Sequence, residues 1–223
     1  MELNQYIDHT LLKATATKDD IIKLCNEAKE YNFYAVCVNS CYISLVKNEL
    51  KNSDVKIAVV VGFPLGANSA NSKLFEAEQG VKKGADEIDM VLNLGFLKSE
   101  MFDAVEKEIS DIKQAIGGKI LKVILETCYL SNSEIITACK ISKAAGADFV
   151  KTSTGFGTGG ATEEAVKLMV ETVGDTLKVK ASGGIRDAKT AKKYIDLGVS
   201  RIGTSSGIRI VTSSNTSTNE HTY

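Results

Sequence analysis

The chain has 223 residues, 27 basic against 28 acidic, for a net charge of −1. That length suits one large α/β domain, and the even charge gives no sign of a nucleic-acid footprint or a polybasic membrane patch. Five scattered cysteines without a C-x-x-C pair indicate neither a disulfide framework nor a zinc site, and His9 and His221 are too few for a His-rich metal centre.

The start, MELNQYIDHT, lacks the basic residues and apolar run of a signal peptide, and no apolar stretch approaches transmembrane length, so a cytoplasmic address is expected. A short strand is expected over residues 6–10 (YIDHT). Thr17 to Asp20 then read as a helix start, with Ile21, Leu24, Cys25 and Ala28 at helical spacing until Asn32. YAVCVN (34–39) reads as a strand, a helix follows around residue 47, and KIAVVVGF (56–63) is a nearly continuous apolar strand that Pro64 stops. The next helix shows Leu74, Ala77 and Val81 on one face and closes at Gly84. EIDMVLN (87–93) is the strand after it. Phe102, Val105, Ile109, Ile112 and Ile116 then step by three and four along a helix ended by Gly117-Gly118, and ILKVILET (120–127) follows. Ser131 and Glu134 form a capping box for a helix that ends at Gly146. FVKTST (149–154), a helix over 162–173, LKVKASGG (177–184), a helix over 187–197 and RIGTSS (201–206) complete the pattern.

Eight strands alternate with helices, and GADEID, GADFVK and GVSRIG each set a helix-ending glycine just ahead of a strand. Such repetition predicts a parallel sheet with right-handed crossovers, closed into a single-domain (β/α)8 TIM barrel with a short N-terminal segment. The doubly wound open sheet competes, but no G-x-G-x-x-G follows the first strand. The barrel domain is set at residues 1–210. Residues 211–223, rich in Ser, Thr and Asn and without periodicity, are expected to form a disordered polar tail.

Strand alternation sorts the polar residues of the expected barrel. Asp89 shares a face with Val91 and Asn93, Lys122 with Ile124 and Glu126, Lys151 with Phe149 and Ser153, and Lys180 with Lys178 and Ser182. The interior thus receives Asp89, Lys122, Lys151 and Lys180 from four strands. A lone strand lysine most often reaches water or pairs with a carboxylate. Several lysines with few carboxylates would instead leave uncompensated charge, and the lowest-energy response is for one amine to lose its proton. A neutral amine beside a second cation is the nucleophile that imine formation requires. Gly183-Gly184 and Gly203 to Ser206 stand where barrels often bind phosphate, although a GG pair alone is commonly a tight turn.

The stretches IDHTLLKATAT, VVVGFPLGA, GADEIDMVLN, KVILETCYL, GADFVKTSTGFGTGGAT, KVKASGGIRD and RIGTSSG together resemble the deoxyribose-phosphate aldolase family, up to about Val211. The resemblance implies a class I aldolase that reversibly cleaves 2-deoxy-D-ribose 5-phosphate to D-glyceraldehyde 3-phosphate and acetaldehyde, in deoxyribonucleoside catabolism. It implies that Lys151 is the Schiff-base lysine, that Asp89 and Lys180 exchange protons, and that Lys180 favours the neutral form of Lys151. Gly183, Gly184, Ser205 and Ser206 look like phosphate-binding positions, with Lys122, Thr154 and Cys37 as supporting residues. No metal or organic cofactor is implied. The expected partners are the sugar phosphate, acetaldehyde and a second copy of the chain in a homodimer, with neither nucleic acid nor membrane. Ala14 and Ser40 stand where the family commonly has proline, and Tyr223 ends the chain in a Ser/Thr-rich context that does not match the family's terminal tyrosine. Two other readings stay open: another Schiff-base barrel such as a transaldolase-like enzyme, and a non-catalytic sugar-phosphate-binding barrel.

Overall fold

A computed structural model describes residues 2–216. Eight parallel strands pair in sequence order and close on themselves: β1 (Ile7–Leu11), β2 (Ala35–Val38), β3 (Lys56–Val61), β4 (Glu87–Val91), β5 (Ile120–Ile124), β6 (Phe149–Lys151), β7 (Lys178–Ser182) and β8 (Arg201–Thr204). Closure is made by β1 against β8, with Asp8 opposite Gly203. The helices that return the chain are α1 (Lys18–Glu30), α2 (Ile43–Glu49), α3 (Ala70–Lys83), α4 (Leu94–Lys98), α5 (Phe102–Ala115), α6 (Asn132–Ala144), α7 (Glu163–Val173), α8 (Ala188–Asp196) and α9 (Gly207–Thr216). The expected (β/α)8 barrel is the observed architecture.

Local chemistry sets the helix ends. Thr17 and Ser131 each form a full capping box, with Asp20 and Glu134 returning a bond to the cap N–H. Ahead of β4, β6 and β8 the chain turns at Gly84, Gly146 and Gly198, whose φ values of 114°, 80° and 101° are open to glycine. Those are the three glycines of the repeated fragment. The strands are shorter than their apolar runs, because the polar residues at their carboxyl ends leave the ladder and line a mouth.

Every strand has two faces with different tasks. Val36 and Val38 of β2, Ile57, Val59 and Val61 of β3, Ile88 and Met90 of β4, and Val179 and Ala181 of β7 all join one continuous core under the helices. The inner faces divide by chemistry. On one side, Cys37, Ala58 and Val60 pack with Leu12 as a small apolar cluster, with Phe63 against it. On the other side the inner positions are charged. α4 falls outside the expected pattern, since five residues are too few to display a helical period. The tail also begins later than residue 211: α9 continues to Thr216, anchored by buried Ile210 and by Val211 against the core, so polar composition there accompanies a helix. Residues 217–223, with His221, Tyr223 and the remainder of the expected disordered tail, lie outside the described residues.

Candidate active site

Asp89 sits at the centre of the charged half of the barrel, fully buried. Register places it opposite Lys122 on β5, and Lys151 of β6 opposite Lys180 of β7. One carboxylate oxygen, Oδ2, accepts from both Lys151 Nζ and Lys180 Nζ at 2.9 Å. The other, Oδ1, accepts from Lys122 Nζ at 2.6 Å. Burial alone would raise the Asp89 carboxyl, but Lys122, Lys151 and Lys180 around it hold it well below the usual carboxylate range. Asp89 is therefore an anion held by three amines, two of them sharing one oxygen.

The lysines have more carboxylates than the sequence analysis foresaw. Asp8, on the inner face of β1, pairs with Lys180 and accepts from Arg201 Nε at 2.9 Å. Glu87, two residues before Asp89 on the same face, pairs with Lys122 and with Arg201 Nη2 at 2.8 Å. The expectation of few carboxylates fails here, because Asp8 and Glu87 are buried at strand beginnings, where too few residues precede them to show an alternation that assigns them to the interior. Only the i, i+2 spacing of Glu87 and Asp89 could have shown it. Burial would raise Asp8, yet Lys180, Arg201 and Lys122 bring it to about 2. Burial would likewise lower Lys180, but Asp8 and Asp89 push it above the usual lysine value.

Of these groups Lys151 alone opens at the carboxyl-terminal mouth, while Arg201 borders a pocket at the opposite end of the barrel. Lys151 lines a cavity of about 290 Å³ at the carboxyl ends of the strands, with Thr154, Ser182, Gly183, Gly184, Gly203 and Ser205 among the walls. The cavity is at the small end of the range for ligand pockets, as suits a small substrate. Ser206 is absent from this lining and donates its N–H to Thr204 Oγ1 at 2.9 Å, at the start of α9. Lys122 and Cys37 lie deeper. Cys37 is fully buried, and burial pushes its thiol up. Lys13 and Arg186, not singled out from the sequence although both fall in stretches carrying the resemblance, also line the cavity and bring two cations to its rim.

The loop after β6 is held from the side. Glu126 takes a left-handed φ of 52° at the exit of β5, where its buried carboxylate accepts from Thr154 N at 3.1 Å and from the Thr154 hydroxyl. Farther along, Gly160 meets Gly183 backbone to backbone, so closely that a Cβ on Gly160 would lie 2.3 Å from Gly183 O. The two loops bounding the cavity are thereby locked together. Gly203 serves a different need: a Cβ there would come within 3.0 Å of Lys180 Cε, so its absence leaves room for the lysine stem.

A buried amine presented at the carboxyl-terminal mouth of a closed eight-stranded barrel defines the class, a (β/α)8-barrel enzyme. Comparison with known proteins narrows it. The family model described as DeoC/LacD family aldolase matches residues 3–211. A deoxyribose-phosphate aldolase of Finegoldia magna is 60% identical over 211 residues, covering 95% of this chain and 99% of its own length. That of a Thermoanaerobacter species is 56% identical over 214 residues, covering 95% and 96%. Among solved structures, the tetrameric deoxyribose phosphate aldolase from Aeropyrum pernix superposes with a TM-score of 0.89 at 35% identity, covering 96% of this chain and 91% of that one. The chain belongs to the DeoC/LacD family of aldolases.

Proposed function

We propose that this aldolase cleaves 2-deoxyribose 5-phosphate, with Lys151 as the amine that carries the substrate. The observation that supports the lysine's role is its position: it is the one member of the buried charge cluster that lines the mouth cavity. Lys151 Nζ adds to C1 of the open-chain sugar, and loss of water gives an iminium that acts as an electron sink. Removal of the C3 hydroxyl proton breaks the C2–C3 bond. The electron pair passes into the iminium as an enamine, and glyceraldehyde 3-phosphate leaves. Protonation of the enamine carbon and hydrolysis then release acetaldehyde and return the free lysine.

Asp89 and Lys180 are the groups to move protons in these steps, since the Asp89 oxygen bonded to Lys151 is also bonded to Lys180. The substrate phosphate takes the rim formed by Gly183, Gly184 and Ser205, with Lys13 and Arg186 supplying charge, and Ser206 supports Ser205 from the start of α9. Thr154 lines the same mouth, Lys122 holds Asp89 in place and Cys37 fills the wall beyond. The enzyme works as a homodimer in the cytoplasm; no helix among the described residues is long and apolar enough to cross a membrane.

The test couples turnover to trapping. Acetaldehyde release from 2-deoxyribose 5-phosphate should fall by roughly 10³-fold or more in Lys151→Ala. Borohydride with acetaldehyde should leave a reduced adduct on Lys151 by mass spectrometry. An adduct on another lysine, or unchanged turnover in Lys151→Ala, would refute the assignment.

A further inference from the structure

Following the ion pairs below Lys151 leads around a closed circuit. Asp89 pairs with Lys122, Lys122 with Glu87, Glu87 with Arg201, Arg201 with Asp8, Asp8 with Lys180, and Lys180 with Asp89 again. Three carboxylates alternate with three cations, so the circuit is neutral by itself. Lys151 hangs from it through Asp89 Oδ2 as a seventh, unmatched charge. We propose that Arg201 and Glu87, at the amino-terminal floor of the barrel, are positioning residues for the aldolase step: they close the neutral circuit that makes Lys151 the surplus charge, and so the group that yields its proton.

The geometry carries this in three ways. First, Arg201 bridges the two floor carboxylates at close range, giving Nη2 to Asp8 at 2.7 Å and to Glu87 at 2.8 Å while Nε bonds Asp8; Lys122, paired with Glu87, reaches Asp8 only at 4.0 Å. Its guanidinium is also fixed from outside the circuit, stacked 3.3 Å from the centroid of the Tyr34 ring. Second, without Arg201 those carboxylates would draw on Lys122 and Lys180 alone, leaving less to share with Asp89. Third, no further charged side chain joins the circuit, and the other cations facing Lys151 are Lys13 and Arg186, which line the mouth cavity. Around Lys151, β4 offers Asp89 and Glu87, β5 Lys122, β7 Lys180, β8 Arg201, β1 Asp8 and β2 the buried Cys37 thiol, while the inner face of β3 offers Ala58 and Val60. Glu126, at the end of β5, bonds Thr154 and Cys128 and none of the circuit.

A neutral circuit also explains why Lys180 can stay charged beside a reactive amine. Asp8 and Asp89 both hold it, so its role toward Lys151 is exerted through shared Asp89 and the balance of the whole set. Losing the Lys151 proton leaves the interior with matched charges. Lys151 touches one carboxylate, whereas loss of a proton from Lys122, Lys180 or Arg201 takes a cation from at least two buried carboxylates at once, which is costlier.

This inference rests on Lys151 forming the imine, and the experiment separates the two. The acid limb of borohydride trapping of acetaldehyde at Lys151 is measured against pH by mass spectrometry. Glu87→Gln removes a negative charge with little change of shape, and Glu87 Oε1 has no hydrogen-bond partner among the described residues. The surplus positive charge grows, and the limb moves to lower pH by about one unit, the scale expected for one charge in such an interior. Arg201→Gln removes a positive charge and moves the limb to higher pH by about as much. The double variant is neutral again and returns the limb toward that of the unaltered enzyme, while Arg201→Lys keeps it near its original place. Limbs unmoved, or moved the same way by both single variants, overturn the proposal while trapping at Lys151 preserves the reading above it. Should Arg201→Gln fail to fold, the sign of Glu87→Gln decides alone: downward supports the circuit, and no shift or an upward shift refutes it. Absence of any adduct on Lys151 in the unaltered enzyme sinks the imine reading itself.

Discussion

Gly160 and Gly183 belong to different loops, yet they touch through their backbones at the edge of the mouth. A methyl group on Gly160 would collide with the Gly183 carbonyl at 2.3 Å, and backbone cannot yield as a side-chain tip can. Gly160→Ala should therefore push the Gly183-Gly184 turn off its position. KM for 2-deoxyribose 5-phosphate should rise roughly tenfold, equivalent to about 1.4 kcal/mol, while kinetics with unphosphorylated 2-deoxyribose stay nearly unchanged. Equal losses with both sugars would show that the turn does not serve the phosphate. The neighbouring clamp predicts a stability effect. Removing the Glu126 carboxylate leaves buried Thr154 N without its acceptor, so Glu126→Ala should lower the unfolding free energy by about 1–3 kcal/mol in urea titrations. At this scale the sequence was legible where alternation could sort residues within a well-defined strand, as with Asp89, Lys122, Lys151 and Lys180. Asp8, Glu87 and Arg201 sit at strand beginnings, and their partners come from strands far apart in sequence. Only closure of the barrel brings Arg201 to Asp8 and Glu87.

Helix faces were legible to within one residue, and α3 shows why not better. Its apolar spacing marks Leu74, Ala77 and Val81, but the residues it buries are Lys73, Ala77 and Gly80. A lysine reads as surface in any hydrophobic pattern. Here its stem lies under Gly62 and its amine reaches Val91 O at 3.0 Å and Glu108 Oε2 at 2.9 Å. Thus one side chain ties α3 to the end of β4 and to α5, just behind the strand that presents Asp89. Burial lowers Lys73 and raises Glu108, each against the pull of the other, as expected for an ion pair formed away from water. Lys73→Met leaves the Glu108 carboxylate buried without its cation and should cost about 3–5 kcal/mol of stability. Lys73→Met with Glu108→Leu removes both charges and should recover most of that loss. If the double variant is as unstable as the single, the bond to Val91 O carries the effect instead.

For the molecule as a whole, eight βα units with recurrent helix-ending glycines made the barrel readable, because that repetition has few other ways to close. The same closure concentrates charge in the interior, and this gives the protein a defined pH range. Asp8 is held at about 2 and Asp89 well below its usual 3.8, so both bind protons more weakly folded than unfolded. Both contributions are fully present above 3.8; that of Asp8 is lost as pH falls toward 2, and that of Asp89 as pH falls well below its usual range. Lys122 and Lys180 are raised above the usual 10.5, so the folded state keeps their protons longer than the unfolded chain does. Their contribution is fully present below 10.5 and is lost as pH climbs past it. Urea midpoints should accordingly show a plateau bounded by these two values, falling on both sides. Asp89→Asn should lower the plateau by leaving three lysines to fewer carboxylates, and should also flatten the acid slope, because the carboxyl that must be protonated is gone. An acid slope as steep as before would mean that the acid limit is set elsewhere than in the barrel interior.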